Sequence, residues 1–130
     1  MKYHIDEYDY IVPIGSNCRI GQALNDLGYR KLSLPLDWTL TSCAAVYKAF
    51  EKDFSNFMSH DTCVLQDINN YPHVLNTKFN VNITHDKAIN KESIEKYNRR
   101  SERLLRMLNS DKKVLFIRHH NDGEYMINDI

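Results

Sequence analysis

The amino-acid sequence predicts an α/β domain in which a central β-sheet is flanked by helices. Apolar runs typical of strands alternate along the chain with longer segments of helical periodicity. The length of 130 residues corresponds to one domain with a sizeable core. No internal repeat or low-complexity linker divides the chain. We therefore expect a single domain over residues 1–130.

The elements follow from local patterns. Strands are expected at residues 9–14, 79–83 and Val114–Ile117, where apolar residues form runs or alternate with polar ones, and the last is expected to be buried and internal. Helices are expected at Cys18–Leu27, from a cap at Thr41 or Ser42 through Phe50, and at Ser93–Leu108. Residues 29–38 are expected to be an extended connection, and residues 59–72 a loop with at most one short strand. Because Glu124–Ile130 begins to look helical and then stops, we expect a domain shortened at its C-terminus.

Composition excludes several functional classes. Seventeen basic and 17 acidic residues cancel, so no global field favours nucleic acid or an anionic membrane. The N-terminus is polar, and no apolar run approaches the roughly 18 residues that span a bilayer. Three cysteines without paired spacing indicate free thiols in a reducing compartment, which predicts a cytoplasmic protein. Neither a P-loop nor a glycine-rich dinucleotide motif is present, so no cofactor is predicted.

The candidate chemistry is concentrated where the first strand meets the first helix. The apolar run ends at Gly15, two helix-capping residues follow at Ser16 and Asn17, and Cys18 comes next. Backbone N–H groups and the positive end of the helix dipole stabilise a thiolate in that position. The same amides could hold an oxyanion, with Ser16 and Asn17 as oxyanion or positioning residues. The alternative is that Cys18 is a small buried hydrophobic residue.

A thiol nucleophile needs an imidazole within hydrogen-bond reach and a group that orients the imidazole. His85 follows the predicted strand at residues 79–83 and is the histidine best placed to act as a base, although it could equally be a surface residue. If the two strands share one sheet, their ends converge on a common crevice. Asp86 is a further catalytic candidate, but neighbouring strand residues point to opposite faces, so it can orient His85 only if the strand has already ended. Asp37, beside Trp38, is another candidate for a supporting role.

Two other groups of residues suggest binding. His60 and Cys63 have a metal-like spacing, with His73 and the pair at residues 119–120 as further candidates, but no second matched pair completes a zinc site and none is predicted. Arg99, Arg100 and Arg103 lie on adjoining helical rows and could bind an anion. Because glutamates are interleaved with them, a solvated, salt-bridged helix face is the alternative.

Several blocks in order resemble one known family. Gly15-Ser-Asn-Cys18 and the segment 27–38, which ends in Pro35-Leu-Asp37-Trp38, are similar to the opening signature of the DUF1796 family of papain-like cysteine peptidases. Residues 83–86, 97–100 and 114–118 resemble its later blocks. The family has Pro-Phe-Asp-Trp where this chain has leucine in second position. The resemblance implies a papain-like or related three-layer fold, with Cys18 as nucleophile and His85 as base.

These observations together predict thiol-dependent hydrolysis or acyl transfer at a peptide, amide or glycan-linked substrate. In this interpretation Cys18 attacks, His85 moves the proton, and the amides near Asn17 and Cys18 hold the oxyanion. The alternative function is a non-catalytic α/β domain that recognises an anionic or glycan-linked partner.

Overall fold

The computed structural model describes residues 4–119, which contain three α-helices and six strands. The helices are α1 (Arg19–Asp26), α2 (Cys43–Glu51) and α3 (Lys91–Leu108). The strands are β1 (Tyr10–Pro13), β2 (Thr39–Leu40), β3 (Cys63–Ile68), β4 (Tyr71–Asn76), β5 (Val81–Ile83) and β6 (Val114–Ile117). A single 3₁₀ turn, Ile5–Glu7, precedes β1. The expectation about Glu124–Ile130 lies outside the described residues.

The first and last strands form a two-stranded parallel sheet. β1 pairs with β6 in a register that joins Tyr10 to Val114 and Pro13 to Ile117. β6 spans the predicted residues, but it is only half-buried, and Phe116 is 39% exposed. The prediction that this strand is fully buried is therefore wrong. Within residues 4–119, the strand that pairs with β6 is β1.

The other strands form an antiparallel sheet with the order β2-β5-β4-β3. β3 and β4 make a hairpin whose two turn residues, Asn69 and Asn70, have φ angles of 53° and 62°. Positive φ at both positions is the requirement of the two-residue turn that matches strand twist. The mixed α/β class is confirmed. The predicted single central sheet is wrong, because β1 and β5 belong to separate sheets. The predicted loop over residues 59–72 is also wrong, because β3 and part of β4 occupy these residues.

Side-chain caps begin two of the helices. The Ser42 hydroxyl accepts a hydrogen bond from the Ala45 amide at 3.1 Å, which starts α2 at the predicted position. Asn90 and Ser93 form a reciprocal capping box at the start of α3. This box explains why α3 begins at Lys91 rather than at Ser93. Among residues 4–119, no helix is both long enough and apolar enough to cross a membrane.

An aromatic cluster joins α3 to the rest of the core. Phe57 contacts Tyr97 of α3 and Phe54, in each case with ring centroids 5.6 Å apart, and it stacks on Phe79 at 6.4 Å. All four rings are at most 2% exposed. The remaining core consists of buried aliphatic and sulfur-containing side chains, including Val12, Leu34, Leu36, Ala49, Met58, Val74, Val81, Ile83, Leu104 and Met107. This core fixes the end of β5 relative to the start of α3.

Candidate functional site

Cys18 is the N-cap residue of α1. Its carbonyl oxygen accepts the first bond of the helix, from the Gln22 amide at 2.9 Å, and the residue is partly exposed. The Asn17 side-chain oxygen accepts a hydrogen bond from the Arg19 amide at 2.9 Å. The first amides of a helix have no partner within the helix, and here Asn17 satisfies one of them. Cys18 therefore lies at the positive end of a helix dipole, as the sequence predicts.

The chain approaching Cys18 is held by backbone hydrogen bonds. The Ser16 amide donates to the His119 carbonyl at 3.2 Å, and the His119 amide donates to the Gly15 carbonyl at 2.8 Å. The Ser16 carbonyl accepts a bond from the Thr41 amide at 2.8 Å. Because its amide is already used, Ser16 has no free backbone donor for an oxyanion. Its side chain is 2% exposed, and the hydroxyl has no hydrogen-bond partner within residues 4–119.

Arg118 and Thr41 complete this support; the sequence indicates Thr41 only as a possible helix cap and assigns Arg118 no role in the site. Arg118 Nη1 donates to the Ile14 carbonyl at 2.7 Å, and its Nη2 donates to the Thr41 carbonyl at 2.8 Å. A side chain at Gly15 would collide with both Thr41 and Arg118, and the φ of Gly15 is +103°. Only glycine fits this conformation and this space.

His85 lies two residues beyond the end of β5 and is exposed. Its ring contacts the Trp38 ring with centroids 5.1 Å apart and an interplanar angle of 36°. The preceding residue, Thr84, donates a hydrogen bond from its hydroxyl to the Trp38 carbonyl at 3.2 Å. The two residues that follow β5 therefore contact both the side chain and the backbone of Trp38.

Asp37 is completely buried and is paired with Arg30. Its Oδ2 accepts hydrogen bonds from Arg30 Nε at 3.0 Å, from Arg30 Nη2 at 2.9 Å and from the Leu34 amide at 3.0 Å. Its Oδ1 has no hydrogen-bond partner within the described residues. Burial raises the pKa of the Asp37 carboxyl above its ordinary value, against the opposing effects of the Leu34 amide and Arg30. The roles of Arg30 and Trp38 were missed, although both lie within the family-like segment.

The Asp37 backbone lies against α1, the helix that begins after Cys18, and it is followed by Trp38, the residue that contacts His85. A Cβ at Gly21, in the first turn of α1, would lie 2.8 Å from the Asp37 carbonyl oxygen. Glycine at this position lets α1 pack closely against the chain at Asp37. Since Trp38 is the next residue, the start of α1 and His85 both touch the two-residue segment Asp37–Trp38.

Asp86 is bound to α3 instead of pointing freely towards His85. Its Oδ1 forms an ion pair with Lys96, and its Oδ2 accepts a hydrogen bond from the Tyr97 hydroxyl at 2.8 Å. Burial and the neighbouring Asp86 carboxylate raise the pKa of Tyr97. These contacts make Asp86 an anchor between the end of β5 and α3.

An open cleft of about 610 Å³ lies between the segment after β5 and the start of α3. His85 and Arg99 line it, whereas Cys18 does not. Arg100 lies over the Tyr97 ring at 5.1 Å, and Arg103 donates a hydrogen bond to the Ser33 carbonyl at 3.2 Å. The structure thus does not bring the three predicted anion-binding arginines to one place.

The histidines and cysteines considered for zinc have other surroundings in the structure. Among residues 4–119, no group of three or more His, Cys, Asp or Glu side chains has an arrangement that could hold a metal ion. Cys63 is buried and its Sγ lies 3.4 Å from the Phe57 carbonyl oxygen, while His73 Nε2 lies 3.0 Å from Asn82 Oδ1. Residue 120 lies outside the described range.

Comparison with known proteins gives a match to a protein family. A family model with the description "Putative papain-like cysteine peptidase (DUF1796)" matches residues 9–126. Neither a curated protein nor a solved structure matches the chain. The matched range includes Cys18, the Asp37–Trp38 segment and His85.

Proposed function

The chain belongs to the DUF1796 family, and from this premise we propose that it is a cysteine-dependent hydrolase or acyl transferase acting on a peptide or amide bond. Cys18 is the nucleophile and His85 the general base. The observation that carries the proposal is the shared contact with Asp37–Trp38. The first turn of α1 packs on the Asp37 carbonyl, and the His85 ring packs on Trp38.

The mechanism follows from these positions. His85 accepts the thiol proton, and the Cys18 thiolate attacks the substrate carbonyl to give a tetrahedral oxyanion. Amides at the start of α1, near Asn17 and Cys18, are the donors nearest to the developing charge. The intermediate collapses as His85 returns the proton to the leaving amine. Water then releases the acyl group from Cys18, or an acceptor amine takes it.

The supporting residues act through the backbone. Asn17 holds the first helical amide in place, and Ser16 positions the strand end that leads to Cys18. Asp37 and Asp86 are supports in this proposal. Neither makes a hydrogen bond to the His85 ring among the contacts described above, whereas each is tied to a basic side chain, Arg30 or Lys96.

Competitive alkylation tests the proposal, and the chain contains a matched control. Cys43 is also partly exposed and is the first residue of α2, so it too lies at a helix N-terminus. At about pH 6, iodoacetamide should label Cys18 roughly tenfold or more faster than Cys43, since an imidazole-paired thiol carries far more thiolate than a free one. Peptide mass spectrometry gives both rates in one sample.

His85→Ala should abolish most of this difference, whereas His60→Ala, a change at another exposed histidine, should leave it intact. Equal labelling of Cys18 and Cys43 in the wild-type protein would refute the nucleophile assignment. A preserved difference in folded His85→Ala would refute the base assignment.

The cleft beside His85 favours a second candidate function, binding without catalysis. Three basic side chains, Lys87, Lys96 and Arg99, line this cleft together with three acidic ones, Asp86, Glu92 and Glu95, whereas Cys18 does not line it. Because Lys96 is paired with Asp86, Lys87 and Arg99 are the groups that would contact an anionic or glycan-linked partner. An inert Cys18 together with ligand affinity lost in Arg99→Ala would support this function over the hydrolase.

A further inference from the structure

Trp38 contacts two charged or chargeable groups. The guanidinium carbon of Arg30 lies 5.0 Å from its ring centroid, and the His85 ring lies 5.1 Å from it. Trp38 is the only tryptophan in the chain and is half-buried. No catalytic role in the mechanism above requires an indole at this position.

Trp38 is attached to rigid neighbours. Arg30 is held by two hydrogen bonds to the buried Asp37 carboxylate and by one to the Ser33 hydroxyl at 3.1 Å. The Trp38 carbonyl oxygen accepts a hydrogen bond from the Thr84 hydroxyl. An aromatic ring with its backbone and one neighbouring cation fixed in this way has little freedom to turn.

His85 has few other restraints. It is exposed and lies beyond the last residue of β5, so the hydrogen bonds of the sheet do not orient its ring. The interplanar angle of 36° is closer to stacking than to an edge-on contact. Such a contact covers a ring face and leaves the two edge nitrogens available for proton transfer.

We propose that Trp38 is a positioning residue that fixes the orientation of the His85 imidazole towards Cys18. The inference rests on the proposed function, since it assumes that His85 acts on the Cys18 thiol. It adds a determinant of catalytic geometry that is neither nucleophile, base nor oxyanion donor. Pre-orientation matters because small displacements of a base reduce the rate of proton transfer steeply.

Intrinsic fluorescence tests the contact without any substrate. All tryptophan emission comes from Trp38, and a protonated imidazole quenches an adjacent indole. Emission of the wild-type protein should therefore fall as the pH is lowered through the range of about 8 to 5, in which histidines gain charge. His85→Ala should remove this fall and His60→Ala should preserve it. Arg30, Asp37 and the neighbouring Asp86–Lys96 pair remain in both variants, so their charges cancel from the comparison.

Alkylation of Cys18 tests the positioning role. Trp38→Ala should lower the labelling rate towards that of His85→Ala, whereas Trp38→Phe, which keeps a ring for His85 to pack on, should retain at least about half of the wild-type rate. Far-UV circular dichroism checks that each variant is folded.

The outcomes separate the two proposals. If His85→Ala leaves Cys18 labelling unchanged, the proposed function fails. If His85→Ala slows labelling and folded Trp38→Ala does not, the positioning role is overturned while the proposed function stands. A pH-dependent emission that persists in His85→Ala would overturn the contact itself.

Discussion

The hydrogen bond between Tyr97 and Asp86 should make a measurable contribution to stability. Tyr97 is 1% exposed, and its hydroxyl donates to Asp86 Oδ2 at 2.8 Å. Hydrogen bonds to charged groups contribute about 1.5–3 kcal/mol. Asp86 keeps its ion pair with Lys96 when the hydroxyl is removed, so we expect Tyr97→Phe to lower the free energy of unfolding by about 1.5–2 kcal/mol. The ring contact with Phe57 is retained.

Urea unfolding followed by circular dichroism measures this loss, with an unchanged m-value as the sign that the folded and unfolded states remain comparable. Tyr71→Phe is the matched control. Its hydroxyl also donates a hydrogen bond, to the Thr84 carbonyl at 3.1 Å, but the acceptor is neutral and the side chain is 49% exposed. Tyr71→Phe should lower the free energy of unfolding by less than about 0.5 kcal/mol. Equal losses in the two variants would refute the account of Asp86 as a buried anchor.

Two further predictions concern Asp37 and Gly15. Because burial raises the pKa of Asp37, the folded protein binds this proton more tightly than the unfolded chain, and the associated stability is lost as the pH rises through the folded pKa. We therefore compare the free energy of unfolding of the wild type with that of Asp37→Asn, measured by urea unfolding at several pH values. The wild-type value minus the variant value should decrease as the pH rises from about 4, and an increase of this difference would contradict the prediction. Gly15→Ala should cost at least about 2 kcal/mol, through a positive φ and a steric clash. Gly28→Ala, with φ +78° and no atom within 4 Å of the new Cβ, should cost only about 1 kcal/mol in thermal or urea unfolding.

Local signals predicted the helices well. The periodicity and caps that define a helix involve residues at most four positions apart, so α2 and α3 were found within two residues of their observed starts. The β3–β4 hairpin also had a local signal, Asn69-Asn70 between Ile68 and Tyr71, but Asn-Gly is the stronger form of that turn. The division into two sheets had no local signal, since strand pairing depends on contacts between distant segments.

The candidate site shows the same difference between local signals, which the sequence carries, and contacts between distant segments. Cys18 could be placed at a helix start from its neighbours alone, and the structure places it there. The pairing of Arg30 with Asp37 and the contact of Trp38 with His85 depend on a turn and on a sheet whose order the sequence did not predict. From the sequence, the role of Asp86 depends on where the preceding strand ends, and its attachment to Tyr97 depends on the position of α3.

The parallel pairing of β1 with β6 has a consequence for the order of folding. The β3–β4 hairpin closes over a two-residue turn, whereas Arg118 meets the Ile14 carbonyl across 104 positions of sequence. Contacts that close a long loop of chain carry the larger entropic penalty, and they form late unless other structure has already brought the two ends of the loop together. The backbone around Gly15 and Ser16 obtains its hydrogen bonds from residues at the end of β6. In refolding, the surroundings of Cys18 should therefore be completed after the antiparallel sheet, so that a newly folding chain acquires most of its secondary structure before the backbone around Gly15 and Ser16 reaches its final arrangement.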